Sequence, residues 1–336
     1  MGPVGESKRH HLVSRAYLRA WCPQGETELV KVRILPSVDA QPLGTANICV
    51  KPDWHAMTRP DGSRDRSIER SLATDVEGPG VTAVRRLASD GAVEPEARFD
   101  VAVFLASLAV RGTVVREQLI SSGVEVGEQY LSENPVALER VRWEQRFHTD
   151  GTRGLEILFS LVIAVQTSIL MSMHWRVLRA TDAKFATCDQ PLAFYSRREH
   201  RTTGSPLTRG NVDAVLVALS PTALLVGSWQ QGADSGLSDA PAGLAGWFNG
   251  ALLAQSDVHF IEPPEGCSTT DPRAPLPELG LTTDDERLNH TWSCVRHTAD
   301  ERHAGTVAFI RWDDGRYRAY LAGPDPQPPK TPKQQG

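Results

Sequence analysis

The chain has 336 residues, 40% apolar and 23% charged, which is enough for one large core or two modest ones and excludes the composition of a disordered chain. Its 36 Lys and Arg against 41 Asp and Glu leave a net charge of -5, so sequence-independent binding to duplex DNA, which depends on neutralising phosphates, has no global support. Five scattered cysteines, Cys22, Cys49, Cys188, Cys267 and Cys294, exclude a dense disulfide framework and predict reduced thiols.

In chain order, residues 14–21 suit a short helix ended by Cys22-Pro23, and residues 28–35 alternate polar and apolar side chains as a strand does. A Pro/Gly-rich loop leads to a second short strand at 47–50. Residues 64–77 carry Ile68, Leu72 and Val76 at spacings of four, and Gly78-Pro79-Gly80 is expected to stop that helix. Three longer helices are predicted at 96–121, 134–148 and 155–173. Gln166, Thr167, Ser168 and Ser172 interrupt the last one, so a buried helix is expected rather than a membrane span. The start of the sequence shows no apolar signal-peptide core, and a cytoplasmic protein without membrane contact is expected.

The period then changes. Strands are predicted at 174–179, 192–195, 214–219 and 223–227, a helix at 241–255 and a strand at 258–261. A Pro/Gly-rich linker at 263–280 precedes a helix at 284–298, a hairpin of strands 306–312 and 317–322, and a disordered tail from 323. The expected fold class is α+β: a mixed β-sheet packed against a central helical segment (64–173), with a C-terminal helix plus β-hairpin appended to a core of residues 1–262.

Several separated blocks follow one order. KRHHLVSRAYLRAW supplies Lys8, His11, Val13, Tyr17, Leu18 and Trp21; NICVKPDW and SIERSLATDVEG come next, the latter with Ile68, Glu69, Leu72, Val76 and Glu77. FLASLAVRGT carries Arg111, and HWRVLRATDAKFATCDQPLAFY carries Trp175, Phe185, Asp189 and Pro191. VALSPTALLVG and FNGALLAQSDVHFIE end the series with Ser220, Pro221 and Asn249. Together, over residues 8 to about 262, they resemble the bacterial family known as domain of unknown function 4238. Ser14 stands where that family usually has Pro, and Leu108 where it usually has Gln. The resemblance implies no reaction, but it draws attention to His11, Glu69, Glu77, Arg111 and Asp189.

These five come from distant parts of the chain and are expected to converge on one cleft. Imidazole and carboxylates suit a divalent metal such as Mg or Mn, and Arg111 suits a phosphate or carboxylate. The leading expectation is a metal-dependent hydrolase acting on phosphodiesters of nucleic acid or nucleotides. His11, Glu69, Arg111 and Asp189 would be catalytic; Glu77, Asp189 and His11 would hold the ion; His10, Tyr17 and Arg19 would bind substrate. On a regular α-helix Glu69 and Glu77 would rise about 12 Å relative to each other, too far to share one ion.

The bland readings are a basic exposed N-terminus, Tyr17 and Trp21 as core anchors, Asp189 in an Asx-type turn, and Arg111 in a buried pair with a glutamate. They correspond to a non-catalytic ligand-sensing or interaction protein with a buried Arg/Glu/Asp lattice. A third alternative is a small-molecule tailoring enzyme with Arg111 as carboxylate clamp. His290, Cys294 and His297 share one helix face, with His303 nearby, as a weaker zinc pattern, and Arg142 with His148 loosely echo helical ribonucleases. No Gly-rich dinucleotide turn, phosphate-binding loop, His-Glu-x-x-His or Gly-x-Ser-x-Gly is present, which argues against the common NAD, ATP-loop, zinc-protease and α/β-hydrolase classes.

Overall fold

The computed structural model describes residues 8–24, 28–58, 64–113, most of 163–197, 201–203, 212–228, 236–279, 281, 308–313 and 316–321. Its elements begin with β1 (Arg9–His11), α1 (Arg15–Leu18) and a 3-10 turn (Arg19–Trp21). Strands β2 (Leu29–Ile34), β3 (Ala40–Gly44), β4 (Val50–Pro52), β5 (Met57–Thr58) and β6 (Arg64–Asp65) follow. Next come α2 (Ser67–Ser71), a π-helical turn (Leu72–Glu77), α3 (Gly78–Asp90) and α4 (Pro95–Arg111). After them lie β7 (His174–Arg179), β8 (Thr187–Cys188), β9 (Leu192–Ser196), β10 (Arg201–Thr203), β11 (Ala214–Ser220), β12 (Ala223–Ser228) and β13 (Ser238–Asp239). Helix α5 (Leu244–Gln255), β14 (His259–Glu262) and the hairpin β15 (Ala308–Asp313) with β16 (Arg316–Leu321) complete the described chain.

The architecture is mixed α+β. A six-stranded sheet, ordered β10-β9-β11-β12-β7-β13, is antiparallel except where β13 joins β7. Every residue of β12, and all but the last of β11, is buried, so both faces of these strands are covered. That is why they read in sequence as continuous apolar runs rather than as an alternation. Helix α3 packs on β11 and β12. Trp247 of α5 meets Tyr195 of β9 edge on, with ring centroids 5.6 Å apart.

A second sheet runs β3-β2-β14-β8. The stretch predicted as a loop before residue 47 holds β3, and Pro42 is tolerated there because β3 is the sheet edge, where a missing N–H breaks no ladder. The strand expected at 47–50 starts only at Val50, because Cys49 has a left-handed φ of 50° that ends the preceding turn.

The largest departure from the sequence reading concerns Gly78-Pro79-Gly80. It does not end the helical run; it opens α3, with Pro79 in the first turn, where its missing N–H costs nothing. The adjustment falls just upstream. Pro79 cannot donate to the carbonyl one α-turn back and its ring crowds that position, and residues 72–77 widen into a π-turn. Gly80 then lets α4 approach, since a β-carbon there would stand 2.4 Å from Cβ of Phe104.

Helix α4 ends at Arg111, where Gly112 turns extended; residues 114–121 of the helix predicted there lie outside the described residues. The expected linker has no regular structure across 263–279 but straps α5: Trp247 Nε1 donates to the Ala274 carbonyl at 3.0 Å, and Thr270 N–H to the Gly246 carbonyl at 2.9 Å. The predicted helices at 134–148 and 284–298 lie outside the described residues, as do Arg142, His148, His290, Cys294, His297, His303 and the tail. No disulfide links Cys22, Cys49, Cys188 or Cys267. No helix among the described residues is long and apolar enough to cross a membrane.

Candidate metal centre

Three segments meet beside the helical layer. Strand β1 pairs antiparallel with β4, His10 opposite Lys51 and His11 opposite Val50. Because successive strand residues face opposite ways, His10 turns fully into the core and His11 stays half-buried. After β4 the chain reverses at Asp53, whose φ is 49° and whose N–H bonds the Lys8 carbonyl at 2.8 Å. This turn brings His55 over His10: the His55 amide donates to Nδ1 of His10 at 2.8 Å, and the rings stack with centroids 5.6 Å apart.

Glu69 reaches in from α2. One oxygen lies 2.8 Å from Nδ1 of His55, and the other accepts the His11 amide at 3.2 Å. Arg66, just before α2, donates to Asp53 at 2.7 Å and ties the helix to the His55 turn. One donor atom from each of His10, His55 and Glu69 lies within 4.8 Å of the others, so the three sit close enough to hold one ion.

Beside this group runs a second chain of bonds. Glu77, at the end of the π-turn, accepts from Ser14 Oγ at 2.7 Å and from Nη1 of the fully buried Arg111 at 2.5 Å. On an α-helix residues eight apart point about 80° away from each other; the wider π-turn reduces the rotation per residue and brings Glu69 and Glu77 back towards one side. Both carboxylates and Arg111 act electrostatically on His11, so four residues of the family signature share one neighbourhood. Trp54 Nε1 caps the Arg111 carbonyl at 3.1 Å, where α4 ends.

The group that could hold an ion is not the His11, Glu77 and Asp189 set expected from sequence. His11 and Glu77 border the His10, His55 and Glu69 group without belonging to it. Asp189 accepts three backbone amides, those of Asp257 (2.9 Å), Val258 (2.6 Å) and His259 (2.9 Å), and so clamps the segment between α5 and β14. Burial pushes its carboxyl up, against the pull of those three donors.

The substrate-binding residues expected from sequence are also placed differently. Tyr17 is buried, donates to the Ala218 carbonyl at 2.6 Å and packs on Trp21, which leaves no ring face for a base. Arg19 shares Glu28 with Arg15, at 2.7 and 2.6 Å, so the N-terminal basic cluster is partly neutralised. His10 belongs to the buried group. His55 went unnoticed in sequence, and its one signal is its place directly after the NICVKPDW block.

Burial holds the His55 and His11 imidazoles below the usual histidine range, hence neutral at pH 7. Burial opposes ionisation of Glu69, but the His55 hydrogen bond and the charges of His55 and Arg111 outweigh it and lower the carboxyl to about 2. The signs set the acid response. Both imidazoles have folded pKa values below 6.5, so the unfolded chain gains protons first, and stability falls as pH drops through 6.5. Glu69 adds stability that is complete above 4.5 and is lost towards about 2. The urea midpoint is therefore expected to fall in two stages below neutrality, and Glu69→Gln should flatten the lower one.

No curated protein and no solved structure matches the chain. A family profile does, over residues 9–261, a span that contains every residue of the centre and the Glu77–Arg111 pair. With three quarters of its length so matched, the chain belongs to the family described as Protein of unknown function (DUF4238).

Proposed function

We propose that the protein is a metal-dependent hydrolase that cleaves phosphodiesters, with the ion held by His10, His55 and Glu69. The observation that carries this reading is the meeting of two imidazoles and a carboxylate, from three separate segments, with one donor atom of each within 4.8 Å of the others. Two nitrogens and one oxygen favour Zn, Fe or Mn over Mg, which prefers all-oxygen ligands and keeps its water; the Mg expected from sequence is thereby demoted.

When bound, such an ion supplies Lewis-acid polarisation of a phosphoryl oxygen and a nucleophile at neutral pH. Arg111 provides a permanent positive charge whose field reaches both His55 and Glu69. The overall charge of -5 favours nucleotides or short single strands over duplex as the source of the diester.

Calorimetric titration of metal-stripped protein with Zn, Mn and Mg tests this. One equivalent of Zn or Mn is expected to bind, with His55→Ala and Glu69→Gln weakening it by more than about 10-fold, the loss seen even for outer-shell partners. Hydrolysis of bis(p-nitrophenyl) phosphate should follow the bound metal. A folded wild type that binds none of the three ions would overturn the reading. It would favour the non-catalytic lattice, which the engagement of Glu77 by both Ser14 and Arg111 supports.

A further inference from the structure

Arg111 exposes none of its surface, yet Glu77 takes only Nη1. Nε and Nη2 are buried and have no hydrogen-bond partner among the described residues. Leaving buried charged donors unmade is costly, so an edge kept in this state has a use. These two nitrogens form the side-on edge of the guanidinium, two parallel N–H groups spaced to meet two oxygens of one phosphate or carboxylate. Nε2 of His11 is likewise buried without a partner among the described residues, and His11 feels the Arg111 charge.

The local charge count decides when an anion enters. Arg111 contributes one positive charge, and Glu69 and Glu77 contribute two negative ones. While no metal is bound, the Glu69 and Glu77 carboxylates oppose an anion at this edge. A divalent ion held beside them adds two positive charges and favours one. A phosphodiester is a monoanion at neutral pH, whereas a phosphomonoester carries close to two charges.

We propose that the Nε/Nη2 edge of Arg111 is an oxyanion subsite that takes the phosphoryl oxygens of a phosphodiester only once the neighbouring ion is bound. This rests on the metal-centre reading and adds to it the substrate's anchor and an order of binding. Because coupling between two ligands is reciprocal, the diester must tighten the metal by the same factor as the metal tightens the diester.

The test is metal affinity of the full chain at pH 7.5, measured alone and with saturating dimethyl phosphate, inorganic phosphate or acetate. Dimethyl phosphate is expected to strengthen metal binding at least about fivefold, the lower end of typical coupling, and to show no binding without metal. In Arg111→Lys, which keeps the charge and loses the fork, the strengthening of metal binding by dimethyl phosphate should disappear.

The outcomes separate the two ideas. No metal binding to folded wild type overturns the metal centre itself. Metal binding that dimethyl phosphate leaves unchanged, or that acetate strengthens while the diester does not, overturns the phosphodiester subsite and leaves the metal centre standing. The wild-type measurement decides this even if Arg111→Lys fails to fold.

Discussion

Asp189→Ala is expected to lower the unfolding free energy by on the order of 3 kcal/mol while leaving metal affinity within twofold of wild type. Its carboxylate accepts the amides of Asp257, Val258 and His259, and a hydrogen bond to a charged group is worth about 1.5–3 kcal/mol. The three share one acceptor and are partly solvent-reachable, so their losses do not sum. Removing the clamp frees the segment that aligns β14 against β2 and β8, so the damage should spread through the four-stranded sheet. Urea unfolding at constant m-value measures the first effect and calorimetry with Zn or Mn the second. Unchanged stability with abolished metal binding would instead return Asp189 to the ion, as the sequence reading had it.

Glu77→Ala should be the more damaging change, at about 3–5 kcal/mol, because it strands a fully buried guanidinium without its carboxylate. It also removes the acceptor of Ser14 Oγ and so loosens the entry to α1 from the π-turn. Glu77→Gln, which keeps a hydrogen-bond acceptor, should cost distinctly less. Adding Arg111→Met to Glu77→Ala should recover part of the loss, since the stranded charge goes with it; a double-mutant cycle by urea unfolding reads that coupling directly. Additive effects would show that Arg111 takes its main counter-charge from another residue.

Part of the site was readable in the sequence. His11, Glu69, Glu77 and Arg111 were picked out as chemistry-bearing positions on separate segments, and the fold brings these four together. The choice between His10 and His11 was not readable. A histidine doublet on a strand sends one ring each way, and which one faces inward depends on the β1–β4 register, fixed by a partner forty residues on. His55 was missed because its role comes from a reversal at Asp53 with positive φ, a conformation that Asp tolerates but that nothing in the local sequence requires. The π-turn at residues 72–77, which the sequence does not announce, lies between Glu69 and Glu77, and the candidate metal group takes Glu69 without Glu77.

The sequence by itself determined the α+β class and most strands between residues 174 and 262, because the apolar runs and alternations there record local demands of burial that hold whatever the partner strand is. Only the tertiary structure decided that Gly78-Pro79-Gly80 starts a helix rather than ending one, since helices α3 and α4 need that close approach. It alone decided which nitrogen meets which carboxylate, because a hydrogen bond is made or lost over a few tenths of an ångström. Such distances are set by strand register, the π-turn and side-chain packing between residues 34 to 58 apart in the chain, none of which leaves a local pattern in the sequence.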